Sequence, residues 1–292
     1  FAKRSMYGLA SGAVLNILLD PLLMFALDLG VAGAGWATII SQFLSFCLLL
    51  AGCGKGGNIR IRFRNIKLKW YYFQMIVKGG LPSLARQGLA SLATISLNRA
   101  AGPYGDAVIA AMGVVQRITN FGASTMIGFG QGFQPVCGFN FGAKLYDRVK
   151  EGFHFCVKCS LVFLTVIAAL GFVFAPQLIA LFRDDPDVIS CGALALRWQC
   201  VTFPAQSWIL ISNMMEQAIG RTVPATFLAA ARQGIFFIPT VWILSLVWGL
   251  PGLIAAQSVS DVLTLLCAIP IQITVMRTLA TGPRTRRHKA AV

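Results

Sequence analysis

The chain has 292 residues, 57% of them hydrophobic and 12% charged, and a formal net charge of +15. A water-soluble domain carries roughly 45–50% apolar and about 25% charged residues, so this balance, with a mean hydropathy of +0.72, excludes an ordinary soluble fold and points to a bilayer as solvent. The charge does not imply nucleic acid, because most basic residues sit in short loops between apolar runs rather than in a stripe with interleaved aromatics.

A helix needs about 20 apolar residues to cross a bilayer. In chain order, eight runs are of that kind: about 7–28, 31–51, 73–99, 106–135, 153–182, 188–217, 223–248 and 252–277. Strands of a β-barrel would be about half as long and would alternate. The chain is therefore predicted to be an all-α, polytopic membrane protein. It opens "FAKRSMYGLASG", with no initiator Met and no signal peptide, as a fragment beginning at a loop would.

The loops alternate in charge. Lys3 and Arg4 precede the first run. Lys55, Arg60, Arg62, Arg64, Lys67 and Lys69 follow the second, Lys144, Arg148 and Lys150 the fourth, Arg221 the sixth, and Arg277, Arg284, Arg286, Arg287 and Lys289 the last. The intervening loops "LDLG", "GPYGDA", "RDDPDV" and "WGLPG" are neutral or acidic. By the positive-inside rule both ends are cytoplasmic, the parity that eight crossings require.

Several apparent motifs lose their usual meaning in this setting. Gly128, Gly130 and Gly132 imitate part of a dinucleotide fingerprint, but that fingerprint needs a preceding strand, and glycines inside an apolar span permit close helix packing. Cys156 and Cys159 form a lone C-x-x-C near His154, short of the four ligands of a closed zinc site. Cys47, Cys137, Cys200 and Cys267 lie in or beside apolar runs, where cysteine acts as a small hydrophobe. No nucleophile–base pair or paired carboxylates point to an enzyme, and no cofactor is expected.

The chain contains a weak internal repeat. "LGVAGAGWATIISQF" (29–43) and "WGLPGLIAAQSVSDV" (248–262) align at an offset of 219, pairing Gly30 with Gly249, Gly33 with Gly252, Ala37 with Ala256 and Ser41 with Ser260. Pro21 lies near the counterpart of Pro239. Two such hairpins six helices apart imply a parallel six-helix repeat, as in two-lobed transporters. On that reading residues 1–51 are the last two helices of a first lobe, 52–72 a basic cytoplasmic connector, 73–277 a complete second lobe and 278–292 a basic cytoplasmic tail. About four N-terminal helices of the same protein are then absent.

"GAVLNILLDPLLMFALDLGVAGAGWATIISQ" (12–42), "GLPSLARQGLASLATISLNRAAGPYG" (80–105), "GFGQGFQPVCGFNFGAK" (128–144) and "ARQGIFFIPTVWILSLVWGLPGLIAAQSVSD" (231–261) together resemble the multidrug and toxic compound extrusion (MATE) family. The resemblance implies twelve helices in two bundles, alternating access, and export of small amphipathic, often cationic compounds from the cell across the plasma membrane. Inflow of Na⁺ or H⁺ would drive it, and the full-length protein would act as a monomer in lipid.

Asp20 is the anomaly in the first run. An Asp at the centre of a membrane helix costs about 2.5–3.5 kcal/mol on insertion scales, and intramembrane acids are functional by default. Asn16 lies four residues before it, on the same helix face. Thr38 sits as far beyond the outer turn near Leu29 as Asp20 sits before it, so the two share a depth. An amide oxygen, a carboxylate and a hydroxyl suit Na⁺ or a carried proton. Pro21 cannot donate to the Ile17 carbonyl, which permits a bend; Pro239 is the corresponding hinge, beside Ile238 where no carboxylate stands. In the MATE family, residues matching Asn16, Asp20 and Thr38 belong to a first-lobe cation site, completed by an acid on the first helix, which this chain lacks.

Asp261 and Arg197 lie at matching depths and are candidates to pair. Arg232 and Arg117 are also intramembrane, and all four are assigned to a substrate path or to salt bridges. Arg86 and Arg99 lie on the third run, and Glu216, near an inner helix end, is expected to be solvated. A lipid-linked oligosaccharide flippase of related fold is the nearest alternative, favoured by a cation-filled central cavity without the Asn16–Asp20–Thr38 cluster. A membrane-embedded enzyme is a more distant one.

Overall fold

The computed structural model describes residues 2–54 and 69–281. Among them there is no strand. The helices are α1 (Ala2–Pro21), α2 (Gly30–Gly54), α3 (Trp70–Ala101), α4 (Asp106–Gly142), α5 (Tyr146–Val173), α6 (Ala175–Ala180), α7 (Pro186–Thr202), α8 (Gln206–Ala218), α9 (Thr222–Ala230), α10 (Phe237–Trp248) and α11 (Leu250–Thr281). Each of the eight apolar runs is helical, because a chain in lipid must satisfy its backbone polar groups within the segment. Lys55, Arg60, Arg62, Arg64, Lys67, Arg284, Arg286, Arg287 and Lys289 lie outside the described residues.

Among the described residues, five helical stretches are long and apolar enough to cross a membrane: Met6–Ala26, Gly30–Gly52, Tyr146–Val173, Thr222–Trp248 and Leu250–Leu279. The other three runs fall short, for identifiable reasons. Helices α3 and α4 have the length, at 32 and 37 residues, but α3 carries Lys78, Arg86 and Arg99, and α4 carries Gln116, Arg117, Asn120, Gln131 and Gln134. The run 188–217 is cut into α7 and α8 by a 3₁₀ turn, Phe203–Ala205, that contains Pro204.

The distribution of side chains is the reverse of a soluble protein's. Phe25, Phe121, Phe139, Leu246 and many other large apolar residues point outward, while Gln206, Ser212, Asn213, Glu216, Ser258, Ser260, Asp261, Thr264 and Gln272 are buried. Such an exterior is compatible with acyl chains and incompatible with water.

The chain separates into two compact units, Phe1–Tyr72 and Phe73–Val292. In the first, α1 and α2 pack antiparallel through small residues. A β-carbon at Gly12 would lie 2.8 Å from that of Ser45, and one at Gly8 would lie 3.0 Å from Leu49 Cδ2. The Ser45 hydroxyl donates to the Gly8 carbonyl at 2.9 Å. Close backbone approach of this kind is how helices associate without a hydrophobic driving force. In the second unit, Ala93, Leu97, Val115, Leu164, Leu196, Val241 and Leu253 belong to a core that joins α3, α4, α5, α7, α10 and α11. Here too small residues set the spacing: Gly130 abuts Met214, Gly171 abuts Cys200, and Gly234 abuts Leu89.

The repeated hairpins agree position by position. Gly30 and Gly249 both have positive φ, +53° and +63°, opening α2 and preceding α11, a conformation that glycine adopts without steric cost. Gly33 and Gly252 each press on a carbonyl of the preceding helix, that of Leu23 and that of Leu244. Ala37 and Ala256 are both 0% exposed, and Ser41 and Ser260 are both buried.

Candidate functional site

In the first unit, Asn16 Nδ2 donates to Asp20 Oδ1 at 3.4 Å, and both residues are partly buried. Among the described residues no hydrogen bond joins Asp20 to Thr38. The exposed Thr38 hydroxyl donates to the Ala34 carbonyl of its own helix at 2.9 Å. Directly after Pro21 the helix widens into a π-turn, Leu22–Ala26, in which the Leu27 amide reaches back to the Leu22 carbonyl at 3.1 Å. Such π-turns are frequent at functional sites.

The second hairpin carries its own π-turn, Ala231–Ile235, between α9 and α10. Pro239 cannot donate to the carbonyl four residues earlier, which is that of Ile235. The π-turn ends at that residue, and the Phe236 amide instead bonds the Ala231 carbonyl at 2.9 Å. Both hairpins thus pair a proline with a π-turn, on opposite sides of it.

Arg232 lies in this π-turn and pairs with Asp261, Nε to Oδ1 at 2.8 Å. Gln257 Nε2 donates to the same oxygen at 3.0 Å, and Gln206 Nε2 to Oδ2 at 3.1 Å. Asp261 is 1% exposed. Its partner is therefore Arg232 and not Arg197. Arg197 Nε donates to the Phe172 carbonyl at 3.4 Å, with the guanidinium 5.7 Å from the centre of the Phe172 ring. Matching depth sets the level of two side chains but not the side of the helix each occupies. Arg117 is exposed on α4.

Glu216 is not solvated as its position near a helix end suggests. It is 0% exposed, and neither carboxylate oxygen has a hydrogen-bond partner among the described residues. Trp208, Ser212 and Glu216 share one face of α8, each with a buried polar atom left unpartnered. Trp208 meets the Phe153 ring of α5 edge-on at 5.4 Å, and Gln272 of α11 reaches Met215 Sδ at 3.2 Å. Packing against α5 and α11 is what takes this stretch of α8 away from solvent.

The second unit also contains an open cavity of about 570 Å³, within the range of small-molecule pockets, roughly 300–1,000 Å³. Its wall mixes apolar side chains with many polar ones: Arg86, Gln87, Ser91 and Thr94 from α3, Gln116, Asn120, Ser124 and Gln131 from α4, Asn213 from α8, and Arg232 and Gln233 from the π-turn. Gln116 Nε2 donates to Thr94 Oγ1 at 3.1 Å across it. Asn213 accepts from Gln217 at 2.6 Å and donates to the Ala225 carbonyl at 2.6 Å. Reading the sequence for charges alone misses these amides. Their signal is there: Gln116, Asn120, Ser124 and Gln131 recur at helical spacing inside an apolar run, and so do Gln87, Ser91 and Thr94.

Cys156 is buried and Cys159 exposed, both as free thiols, and His154 bonds the Lys150 carbonyl. Among the described residues no three His, Cys, Asp or Glu side chains gather to hold a metal.

The MatE family profile matches residues 82–243. The chain is 26% identical over 268 residues to a protein of Staphylococcus aureus named multidrug export protein MepA, covering 91% of this chain and 59% of that protein. Its fold matches an outward-facing multidrug resistance MATE family transporter with a TM-score of 0.86 at 22% identity, covering 95% of this chain and 63% of that one. It also matches the Vibrio cholerae MATE transporter VcmN with a TM-score of 0.83 at 22% identity, covering 92% and 61%. The chain thus spans about three-fifths of the length of the relatives it matches.

Proposed function

The chain belongs to the MatE family, and on that premise we propose that the protein is a secondary active exporter of small amphipathic compounds, a transporter and not an enzyme. Inflow of Na⁺ or H⁺ drives it, and Asp20 is the coupling carboxylate. Residues 1–51 and 73–277 belong to two lobes, with 52–72 and 278–292 on the cytoplasmic side of the plasma membrane.

The observation that carries the coupling role is the pairing of Asp20 with a hinge. Asn16 holds one carboxylate oxygen, and the other has no protein partner among the described residues. The next residues are Pro21 and a π-turn. A cation arriving at this carboxylate changes the local charge where the helix is already free to bend. The name of the staphylococcal relative, a multidrug export protein, supports drugs as cargo.

The full-length protein in proteoliposomes tests this, with an inward Na⁺ gradient and an inward proton gradient imposed separately. Export of a fluorescent amphipathic compound is expected under one of the two. No export under either gradient, from protein that is folded and correctly inserted, overturns the reading.

A further inference from the structure

Among the described residues, the wall of the 570 Å³ cavity contains two arginines, a set of amides and hydroxyls, and no Asp or Glu. One arginine, Arg232, is neutralised by Asp261 at 2.8 Å. The other, Arg86, makes no hydrogen bond or ion pair among the described residues, and its Nη1 is buried without a partner. Arginine keeps its charge at any physiological pH. It stands at the middle of α3, a 32-residue helix, where an unpaired charge is expensive and a ligand or path is the default explanation.

From this we infer that the cavity receives the anionic group of an amphipathic compound, a carboxylate or phosphate, with Arg86 as its counter-charge. The inference rests on reading the cavity as the substrate site of the exporter proposed above. Arg86 offers a planar fork of donors matched to two oxygens of such a group. Gln87 and Asn120 add neutral donors beside it, while Ile127, Ile209 and Leu228 provide an apolar wall for the body of the compound. A cationic head group would meet Arg86 with no acid in the lining among the described residues. The cargo of this site thus differs in sign from the cations that the family resemblance implies. The anion has two sources: a water-soluble compound or a membrane lipid.

The test is direct binding to the purified full-length protein. Two probes share an aromatic body and differ in charge: pyrenebutyrate and pyrenebutyltrimethylammonium. The carboxylate is expected to bind more tightly. Arg86→Gln should weaken it about tenfold or more, and Arg86→Lys less, because an ammonium lacks the fork. Asn120→Asp should reverse the preference by placing an acid in the wall. Each variant is first checked for wild-type melting and elution. Displacement of the carboxylate by dioctanoyl phosphatidic acid assigns the site to lipids, and failure to displace assigns it to soluble compounds; both keep the anion. Equal or tighter binding of the cation, or carboxylate binding unchanged by Arg86→Gln, overturns the inference. Charge-selective binding without ion-driven flux leaves the inference standing and overturns the exporter reading instead.

Discussion

Arg232 and Asp261 form an ion pair at 2.8 Å with the carboxylate 1% exposed, held by two further amide donors, Gln206 and Gln257. Removing one partner of a buried pair leaves an uncompensated charge, at a cost of about 3–5 kcal/mol, whereas replacing both with apolar residues is often close to neutral. Arg232→Met and Asp261→Leu are each expected to lower the melting temperature sharply in fluorescence-detected size exclusion. The double variant should recover a large part of the loss. Additive losses in the double variant would show that the two side chains act independently.

Gly33 and Gly252 occupy equivalent places in two hairpins. A β-carbon at Gly33 would lie 2.6 Å from the Leu23 carbonyl oxygen, and backbone cannot step aside as a flexible side chain can. Gly33→Ala should destabilise by about 1–3 kcal/mol, the usual range for overpacking, and Gly252→Ala should behave alike. Gly35, two residues along, has nothing within 4 Å of its added β-carbon. Gly35→Ala should therefore be neutral or stabilising by up to about 1 kcal/mol, since alanine is the better helix former. Equal melting of Gly33→Ala and Gly35→Ala would remove the close approach as a constraint.

These hairpins also show which features are legible in the sequence. Gly30, Gly33, Ala37 and Ser41 recur at a fixed offset because the same close turn and helix contact recur, and the structure repeats them position by position. The eight apolar runs are legible because lipid leaves a spanning chain little choice but helix. The hidden features depend on rotation about helix axes and on tertiary cover. Depth counting pairs Asp261 with Arg197 because it ignores the side of the helix each occupies, and the true partner, Arg232, sits in the π-turn Ala231–Ile235. Sequence position assigns Glu216 to water because it lies near an inner helix end, and only the packing of α8 on α5 and α11 reveals its burial. The amides of the cavity wall are each ordinary alone, and their convergence from α3, α4 and α8 is a tertiary fact.

Glu216 carries the sharpest imbalance in the second unit, a carboxylate at 0% exposure with both oxygens unpartnered. Burying a carboxyl group without hydrogen-bond partners costs free energy, so its removal should help the fold. Glu216→Gln, which keeps the shape, is expected to melt at or above the wild-type temperature, and Glu216→Leu to shift in the same direction. A loss of stability in Glu216→Gln comparable to that of Asp261→Leu would show that a bound cation or partner compensates the carboxylate.

Asp20 is expected to be the coupling site through unequal binding of the ion to two conformations, since a ligand drives a change only by its differential affinity. A swing from 1:99 to 99:1 needs about 5.5 kcal/mol of that difference. A partly buried carboxylate that gains and loses its counter-ion can supply a share of that. The π-turn after Pro21 gives the helix a place to change setting. In the full-length protein Asp20→Asn should insert normally and abolish ion-driven export. Thr38→Ala should weaken ion affinity with partial activity left, because the Thr38 oxygen stays able to accept a cation while its proton is held by Ala34. Pro21→Ala gives the helix a donor for the Ile17 carbonyl, so it should slow turnover and leave ion affinity nearly unchanged. Flux in proteoliposomes and ion titration of the purified protein measure the three variants together. Wild-type export by a normally expressed Asp20→Asn, with the same ion dependence, would make Asp20 structural and end this mechanism.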